Sequence, residues 1–207
     1  EGLIAVATDG HRLVKHTRKN IRTENFKGEV IIPRKFLSYM SSYLDEGETT
    51  LLIGETHLSA KIKKDTITTR IIGEKFPDYE SVIPKENDKV FKSEKEAFLG
   101  AIKRVSIFSN KSTHQVAISL SSSSCVVTTE DPEKASKAIE SVDSTFEGGD
   151  LTIGYNAEYL KDIVNHIPGQ SIVANFNTPV SAALFSSATE LKNTENLMLL
   201  MPIRLND

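Results

Sequence analysis

The sequence predicts an α+β fold built from repeats of one unit, in which a strand and a helix are followed by three strands. Two observations predict it. Landmarks in the first part of the chain recur about 120 residues later, and each copy has one run with helical spacing of apolar residues among several strand-like runs. With 207 residues, the chain suits one large domain or two smaller ones.

Four pairs of segments support the repeat. LIAVATDGHR at 3–12 aligns with SCVVTTEDPE at 124–133, and both indicate an apolar strand followed by an acidic turn. The same offset places GEVII over GDLTI, LLIG over IVAN, and Val82-Ile83 over Ile203-Arg204. The second copy has an additional front portion, residues 85–124, whose counterpart would precede Glu1. We therefore expect the first copy to be truncated.

The second copy predicts two successive units. In the first, a helix over SEKEAFLGAIKRVSIFSN has Ser93 as its cap and an inward stripe of Phe98, Ala101, Ile102, Val105 and Phe108. The strands HQVAISLS, SCVVTTE and KAIESVDS follow. In the second, the strand LTIGY precedes a helix over NAEYLKDIVNHI, whose inward residues are Tyr159, Leu160, Ile163, Val164 and Ile167. The strands QSIVANFN, VSAALFSS and NLMLLMPI complete it.

In the first copy, only the later part is complete. A strand EVIIP leads into a helix over PRKFLSYMSSYLD, with Pro33 in its first turn and the stripe Phe36, Leu37, Met40 and Leu44 inward. The polar stretch IPKENDK separates the copies. We therefore predict one partial domain at residues 1–84 and one complete domain at residues 85–207.

Composition narrows the class of protein. A net charge of −3 and an isoelectric point near 6.0 provide no global basic field, so a nucleic-acid contact would require a local basic face. Cys125 is the single cysteine and lies in an apolar run, which favours a buried, inert thiol. No apolar run approaches the roughly 20 residues of a membrane helix. These features predict a soluble cytoplasmic protein, and the start at Glu1 without a leader suggests a cut inside a longer chain.

The sequence contains little that indicates catalysis. The five histidines lack the spacing of a metal site, and no nucleotide-binding glycine loop or nucleophile elbow is present, so we expect no metal and no cofactor. The acids Asp9, Asp45, Asp65 and Asp78 fall at predicted turns. A small hydrolase or deaminase that uses His11 and Asp9 is one alternative, although it requires a second catalytic group close to that turn.

Small polar or basic residues face outward on all three predicted helices. The basic candidates are Arg34, Lys35, Lys103, Lys111 and Lys161. A DNA-binding surface can be formed by such helix faces even on an acidic protein. An ordinary solvated surface is the alternative, because Glu94, Glu96 and Glu158 are also expected to be exposed.

Four segments, in order along almost the whole chain, resemble the bacterial DNA polymerase III beta subunit family, the sliding clamps. They are VATDGHRL at 6–13, FPDYESVIP at 76–84, NAEYLKDIV at 156–164 and LMPIRL at 200–205. The resemblance implies DNA-clamp domains of the processivity fold, each made of two βαβββ halves. Members of the family contain three such domains, and this chain corresponds to the last part of the second and all of the third.

The resemblance also implies a function. Clamps are non-catalytic homodimeric rings that encircle duplex DNA without reading its sequence. They tether the polymerase III alpha subunit, and they also bind the clamp loader, other polymerases and repair proteins. On this basis the five basic candidates become predicted channel residues. A peptide-binding adaptor of the same fold without DNA function is the alternative.

Partner proteins of the family insert a short peptide with apolar anchors into a pocket between the second and third domains. The matching positions here are Thr8, Gly10, His11, Arg12, Leu13, Pro77, Val82, Asn156, Tyr159, Val180, Leu199, Leu200, Met201, Pro202, Ile203, Arg204 and Leu205. The chain departs from the family pattern at Ile203, where Met is usual, and in the extension by Asn206 and Asp207. These departures bear on the strength of partner binding.

Overall fold

The computed structural model describes residues 2–21, 23, 25–44, 47–189 and 191–205. The predicted turn at Asp45 and the extension at Asn206 and Asp207 lie outside these residues. The chain divides into two compact units, Glu1–Arg22 with Glu80–Asp207 and, separately, Thr23–Tyr79. The predicted boundary between residues 84 and 85 stays a prediction.

The helices and strands alternate in the predicted manner. In chain order they are β1 (Leu3–Thr8), β2 (Arg12–Arg18), α1 (Arg34–Ser41), β3 (Thr49–Ile53), β4 (His57–Ile62), β5 (Asp65–Arg70), β6 (Lys89–Glu94), α2 (Lys95–Ser106), β7 (Gln115–Ser121), β8 (Ser124–Asp131), β9 (Ser136–Glu147), β10 (Leu151–Asn156), α3 (Ala157–His166), β11 (Ser171–Phe176), β12 (Ala183–Ser187) and β13 (Thr194–Leu200). Short 3-10 helices lie at Glu80–Val82 and Pro132–Lys134. The series from β6 to β9 and from β10 to β13 are two βαβββ units, so the predicted fold class is confirmed.

The larger unit is organised around a ten-stranded sheet with the order β1-β2-β13-β12-β11-β6-β9-β8-β7-β10. Helices α2 and α3 pack against each other and against these strands. Most predicted inward residues of α2 and α3, including Phe98, Ile102, Leu160 and Val164, are buried in one core, whereas Tyr159 is half-buried at its edge. Burial of so many apolar side chains is the main stabilising term of the unit.

Two predicted features of α2 are wrong. Ser93 is not the cap, because its hydroxyl donates to the carbonyl of Asp143 and the helix begins after Glu94, whose carboxylate accepts the N–H of Ala97. Phe108 is exposed rather than inward. The helix ends at Ser106, so the 3.6-residue period no longer applies to Phe108.

The unit Thr23–Tyr79 has a smaller core. Its three-stranded sheet, in the order β3-β4-β5, packs with α1 through Phe36, Met40 and Leu58. The predicted inward positions of Leu37 and Leu44 are wrong, since both are exposed. Leu44 follows the end of α1 at Ser41, and a three-stranded sheet cannot cover a wide helix stripe.

The predicted strand EVIIP is also not formed. Ile31 makes a single antiparallel bridge to Ile72. Pro33 follows two residues later and has no N–H to extend a ladder, so pairing stops at one bridge.

The hairpin of β1 and β2 belongs to the ten-stranded sheet. Strand β2 pairs with β1 on one side and with β13 on the other, and Leu13 lies opposite Leu199 while Arg12 lies opposite Leu200. Both leucines at the first of these pairs are buried. The turn between β1 and β2 is therefore held beside the end of β13, where the C-terminal tail begins.

Candidate peptide-binding site

The turn after β1 is closed by its own side chains. Asp9 Oδ1 accepts the N–H groups of His11 and Arg12, each at 3.0 Å, and the Thr8 hydroxyl donates to the Arg12 carbonyl at 2.8 Å. Gly10 has a backbone φ of +86°, which residues other than glycine rarely adopt. The turn prediction for Asp9 is confirmed.

His11 and Arg12 both reach Tyr159 on α3. The rings of His11 and Tyr159 stack with centroids 5.6 Å apart, and the guanidinium carbon of Arg12 lies 4.7 Å from the Tyr159 centroid. Arg12 also pairs with Asp9 and with Asp162. The result is a surface of aromatic faces and a fixed cation, which suits contact with a peptide.

Asn156 fixes the first turn of α3. Its side-chain oxygen accepts the N–H groups of Glu158 at 2.9 Å and Tyr159 at 3.3 Å, the arrangement of a helix N-cap. Asn156 thus orients Tyr159 through the backbone.

The C-terminal tail crosses from the turn to β10. The N–H of Met201 donates to the His11 carbonyl at 2.9 Å, and that of Ile203 donates to the Gly154 carbonyl at 2.9 Å. A Cβ at Gly154 would come within 2.6 Å of the Ile203 carbonyl oxygen and 2.7 Å of a Leu205 methyl. Only glycine at position 154 lets the tail lie this close to β10.

The predicted apolar residues differ in accessibility. Leu13, Leu199 and Leu200 are buried beneath the surface. Val82, Val180 and Met201 are exposed. The 3-10 helix that carries Val82 is joined to β2 by an ion pair between Lys15 and Glu80. In the tail, Pro202, Ile203 and Leu205 are half-buried and Arg204 is exposed.

Two further predicted residues are exposed. Val180 is in the connection between β11 and β12. Pro77 is an exposed residue of the unit Thr23–Tyr79. The structure therefore brings together the turn, the tail and the start of α3, and a role for Pro77 and Val180 stays a prediction.

Acidification is expected to weaken the turn. Burial acts to raise the pKa of Asp9, but the hydrogen bonds from His11 and Arg12 outweigh it and hold the pKa below its usual value of 3.8. The ionised carboxylate therefore stabilises the fold above pH 3.8, and this contribution is lost as the pH falls through the folded pKa. Solvent screens the exposed carboxylate, so we expect acidification to lower the free energy of unfolding by less than about 1 kcal/mol.

Acid-dependent unfolding measurements check this expectation. Asp9→Asn should flatten the decrease, while Asp150→Asn, an exposed acid in the β9–β10 connection, serves as the matched control. An acid dependence of Asp9→Asn identical to that of the unmodified chain would contradict the assignment.

The geometry does not favour a hydrolytic site at this turn. The Asp9 carboxylate bonds to backbone N–H groups and to Arg12, and the His11 ring stacks on Tyr159. The predicted burial of Cys125 is confirmed, and burial raises the pKa of its thiol to about 12, which disfavours the nucleophilic thiolate. In the described ranges, His, Cys, Asp and Glu residues form no group suited to a metal ion. Nor does any helix in those ranges combine the length and apolarity needed to cross a membrane.

The predicted basic residues lie on helices, apart from Lys111, which follows α2. Lys103 is exposed on α2, and Lys161 Nζ on α3 donates to the hydroxyl of Ser106 at the end of α2, at 3.4 Å. Lys161 also pairs with Glu158 at 2.7 Å. Lys111 is exposed after α2, and Arg34 and Lys35 are exposed on α1 of the other unit. Their contact with DNA stays a prediction.

Two βαβββ units around one core, joined to a hairpin from another copy of the unit, define a domain of the sliding-clamp class. Two family models match successive parts of the chain. The central domain of the DNA polymerase III beta subunit matches residues 1–78, and its C-terminal domain matches residues 80–204. The chain belongs to the DNA polymerase III beta subunit family.

Individual relatives agree with this assignment. The beta sliding clamps of Pseudomonas putida and Escherichia coli are each 30% identical to the chain, over 98% and 99% of its length respectively. A crystal structure of the Pseudomonas aeruginosa sliding clamp with ligand has a TM-score of 0.91 and 31% identity, covering 98% of this chain and 55% of that one. The chain spans about half the length, 55%, of the curated relatives it matches.

Proposed function

We propose that this chain is part of a sliding clamp, a non-catalytic processivity factor that encircles duplex DNA and tethers a replicative polymerase. The observation that carries the proposal is the convergence of the β1–β2 turn, the C-terminal tail and the start of α3 on one surface. These are three of the four segments with the strongest resemblance to the family. Membership of the family supports the same conclusion.

The surface is suited to a short peptide with apolar anchors. Met201 is exposed and flexible enough to adapt to different side chains, and its N–H donates to the carbonyl of His11, whose ring stacks on Tyr159. Arg12 supplies a cation at the rim. The polymerase III alpha subunit, the clamp loader, other polymerases and repair proteins are the proposed sources of such peptides.

Peptide titration tests the proposal. A fluorescein-labelled pentapeptide ending in Leu-Phe should bind with saturable anisotropy, because its two anchors bury apolar area against this surface. A peptide with both anchors changed to Ala provides the control. Equal binding of the two peptides, or binding of neither, would overturn the peptide-binding function.

A second surface is suited to ring formation. Ile107 and Phe108 are 68% and 46% exposed just after α2, and the Ser136 hydroxyl donates to the Phe108 carbonyl at the start of β9. Among the described strands, β9 residues 136–143 pair with β8 alone, which leaves one edge open. Exposed apolar residues beside an open strand edge are typical of an interface. We assign this surface to a neighbouring copy of the full-length protein.

Charge in this interface is expected to dissociate the dimer. Ile107→Asp with Phe108→Asp in the full-length protein should convert a dimer into a monomer, because two carboxylates would have to be desolvated. Light scattering coupled to size-exclusion chromatography measures the mass. Leu37→Asp, at an exposed apolar position on α1, is the control. A double variant that remains dimeric would show that the interface lies elsewhere.

A further inference from the structure

The guanidinium of Arg12 is held at two of its nitrogens. Nε donates to Asp9 Oδ2 at 3.0 Å, and Nη1 donates to Asp162 Oδ2 on α3. Between these contacts the group lies over the Tyr159 ring. A guanidinium that is paired with carboxylates and placed over an aromatic ring loses little further freedom when it binds a ligand.

Asp162 is itself fixed in place. It follows Tyr159 by three residues on α3, so the two side chains emerge from neighbouring turns of the helix. Its Oδ2 accepts from Arg12, and its Oδ1 lies 3.3 Å from His166 Nδ1. The same histidine nitrogen is 2.8 Å from the Asp162 carbonyl oxygen. Both carboxylate oxygens are therefore engaged.

The two acids that hold Arg12 differ in what else they do. Asp9 Oδ1 accepts two backbone N–H groups and closes the turn whatever the Arg12 side chain does. Asp162 belongs to a helix, and its contact with the turn runs through the Arg12 side chain. Removal of the Asp162 charge would therefore leave the turn closed and release one end of the guanidinium.

We propose that Asp162 is a positioning residue of the peptide site, which holds Arg12 over Tyr159 so that Nη2 donates to a carbonyl oxygen of a bound peptide backbone. The proposal rests on the peptide-binding function proposed above. Nε and Nη1 are used within the protein, and among the contacts of the described residues Nη2 is the nitrogen left for a ligand. An extended peptide backbone offers acceptors of this kind whatever its side chains are.

Peptide affinity of Asp162 variants tests the role. Asp162→Asn should weaken binding of the Leu-Phe pentapeptide about fivefold, a modest loss because the pair is exposed to solvent. Asp162→Glu should restore part of the loss. Glu158→Gln, which changes an acid on the same helix that pairs with Lys161, should leave affinity and thermal unfolding unchanged. In an Arg12→Ala background, Asp162→Asn should have no further effect, because the group it positions is absent.

Proton NMR provides a readout that a purely structural role would not change. The Arg12 Hδ protons should be shifted upfield by the Tyr159 ring in the unmodified chain and should return toward ordinary values in Asp162→Asn, with an unchanged unfolding temperature. An equal loss of affinity in both Arg12 backgrounds, or an unchanged Hδ shift, would overturn the positioning role. If the unmodified chain binds no peptide, the proposed function fails, and the Hδ shift alone decides whether Asp162 positions Arg12.

Discussion

Deletion of residues 201–207 is expected to abolish binding of the Leu-Phe pentapeptide. The deletion removes exposed Met201 and half-buried Pro202, Ile203 and Leu205, together with the hydrogen bond from Met201 to the His11 carbonyl. Strand β13 ends at Leu200, so the core of the ten-stranded sheet is retained. Fluorescence anisotropy measures the affinity, and circular dichroism verifies the fold.

A single substitution measures the contribution of the Met201 side chain apart from that of the rest of the tail. Met201→Asp should weaken binding about 30-fold, or ~2 kcal/mol, because an anchor contact is replaced by a charge that must be desolvated. Leu191→Asp, at another exposed apolar position, is the matched control. Unchanged affinity after the deletion would remove the tail from the binding site.

Reversal of charge at three helix positions is expected to release the full-length protein from circular DNA. The variant changes Lys35, Lys103 and Lys161 to Glu. In the proposed channel, this change replaces attraction to the DNA phosphates by repulsion. We expect loss of retention after gel filtration of loaded DNA, with a salt dependence smaller by about one unit of slope for each lysine that contacts phosphate.

The control for this experiment is a reversal of equal charge elsewhere. The control variant changes three other lysines to Glu: Lys61 on β4, Lys92 on β6 and Lys192 before β13. As in the first variant, one lysine lies in the unit Thr23–Tyr79 and two lie in the larger unit. We expect retention on DNA to be unchanged. Equal loss in both variants would indicate an effect of net charge alone. Normal retention of the first variant would reject the three channel residues and favour a peptide-binding adaptor.

The helices could be predicted from the sequence because local spacing determines them. Leu160, Ile163 and Val164 recur with the helical period, and Asn156 provides a cap at the start. Apart from Leu37 inside α1, the errors lie at helix ends. Phe108 and Leu44 continue the period numerically, but each follows the last helical residue and is exposed. A period carries no information on where backbone hydrogen bonding stops.

The candidate site was only partly predictable for a similar reason. The pairing of β2 with β13 joins segments far apart in the chain. The composition of a strand indicates which of its sides is buried, but not which other strand it pairs with. Asp162 was missed because one acid on an exposed helix face resembles an ordinary solvated charge. Gly154 did carry a signal, since an isolated glycine within a strand often marks close approach of another backbone. The Ile203 carbonyl fills that space.

If the chain has the proposed peptide-binding function, the attachment of the hairpin to β13 also affects how partners compete. Strand β2 is paired along both edges, and its turn is closed by Thr8 and Asp9 before any peptide arrives. Capture of a peptide therefore costs the protein little conformational entropy, and association requires no slow rearrangement of this surface. Partners that share it would arrive at similar rates, and their order of preference would be set by how long each one stays.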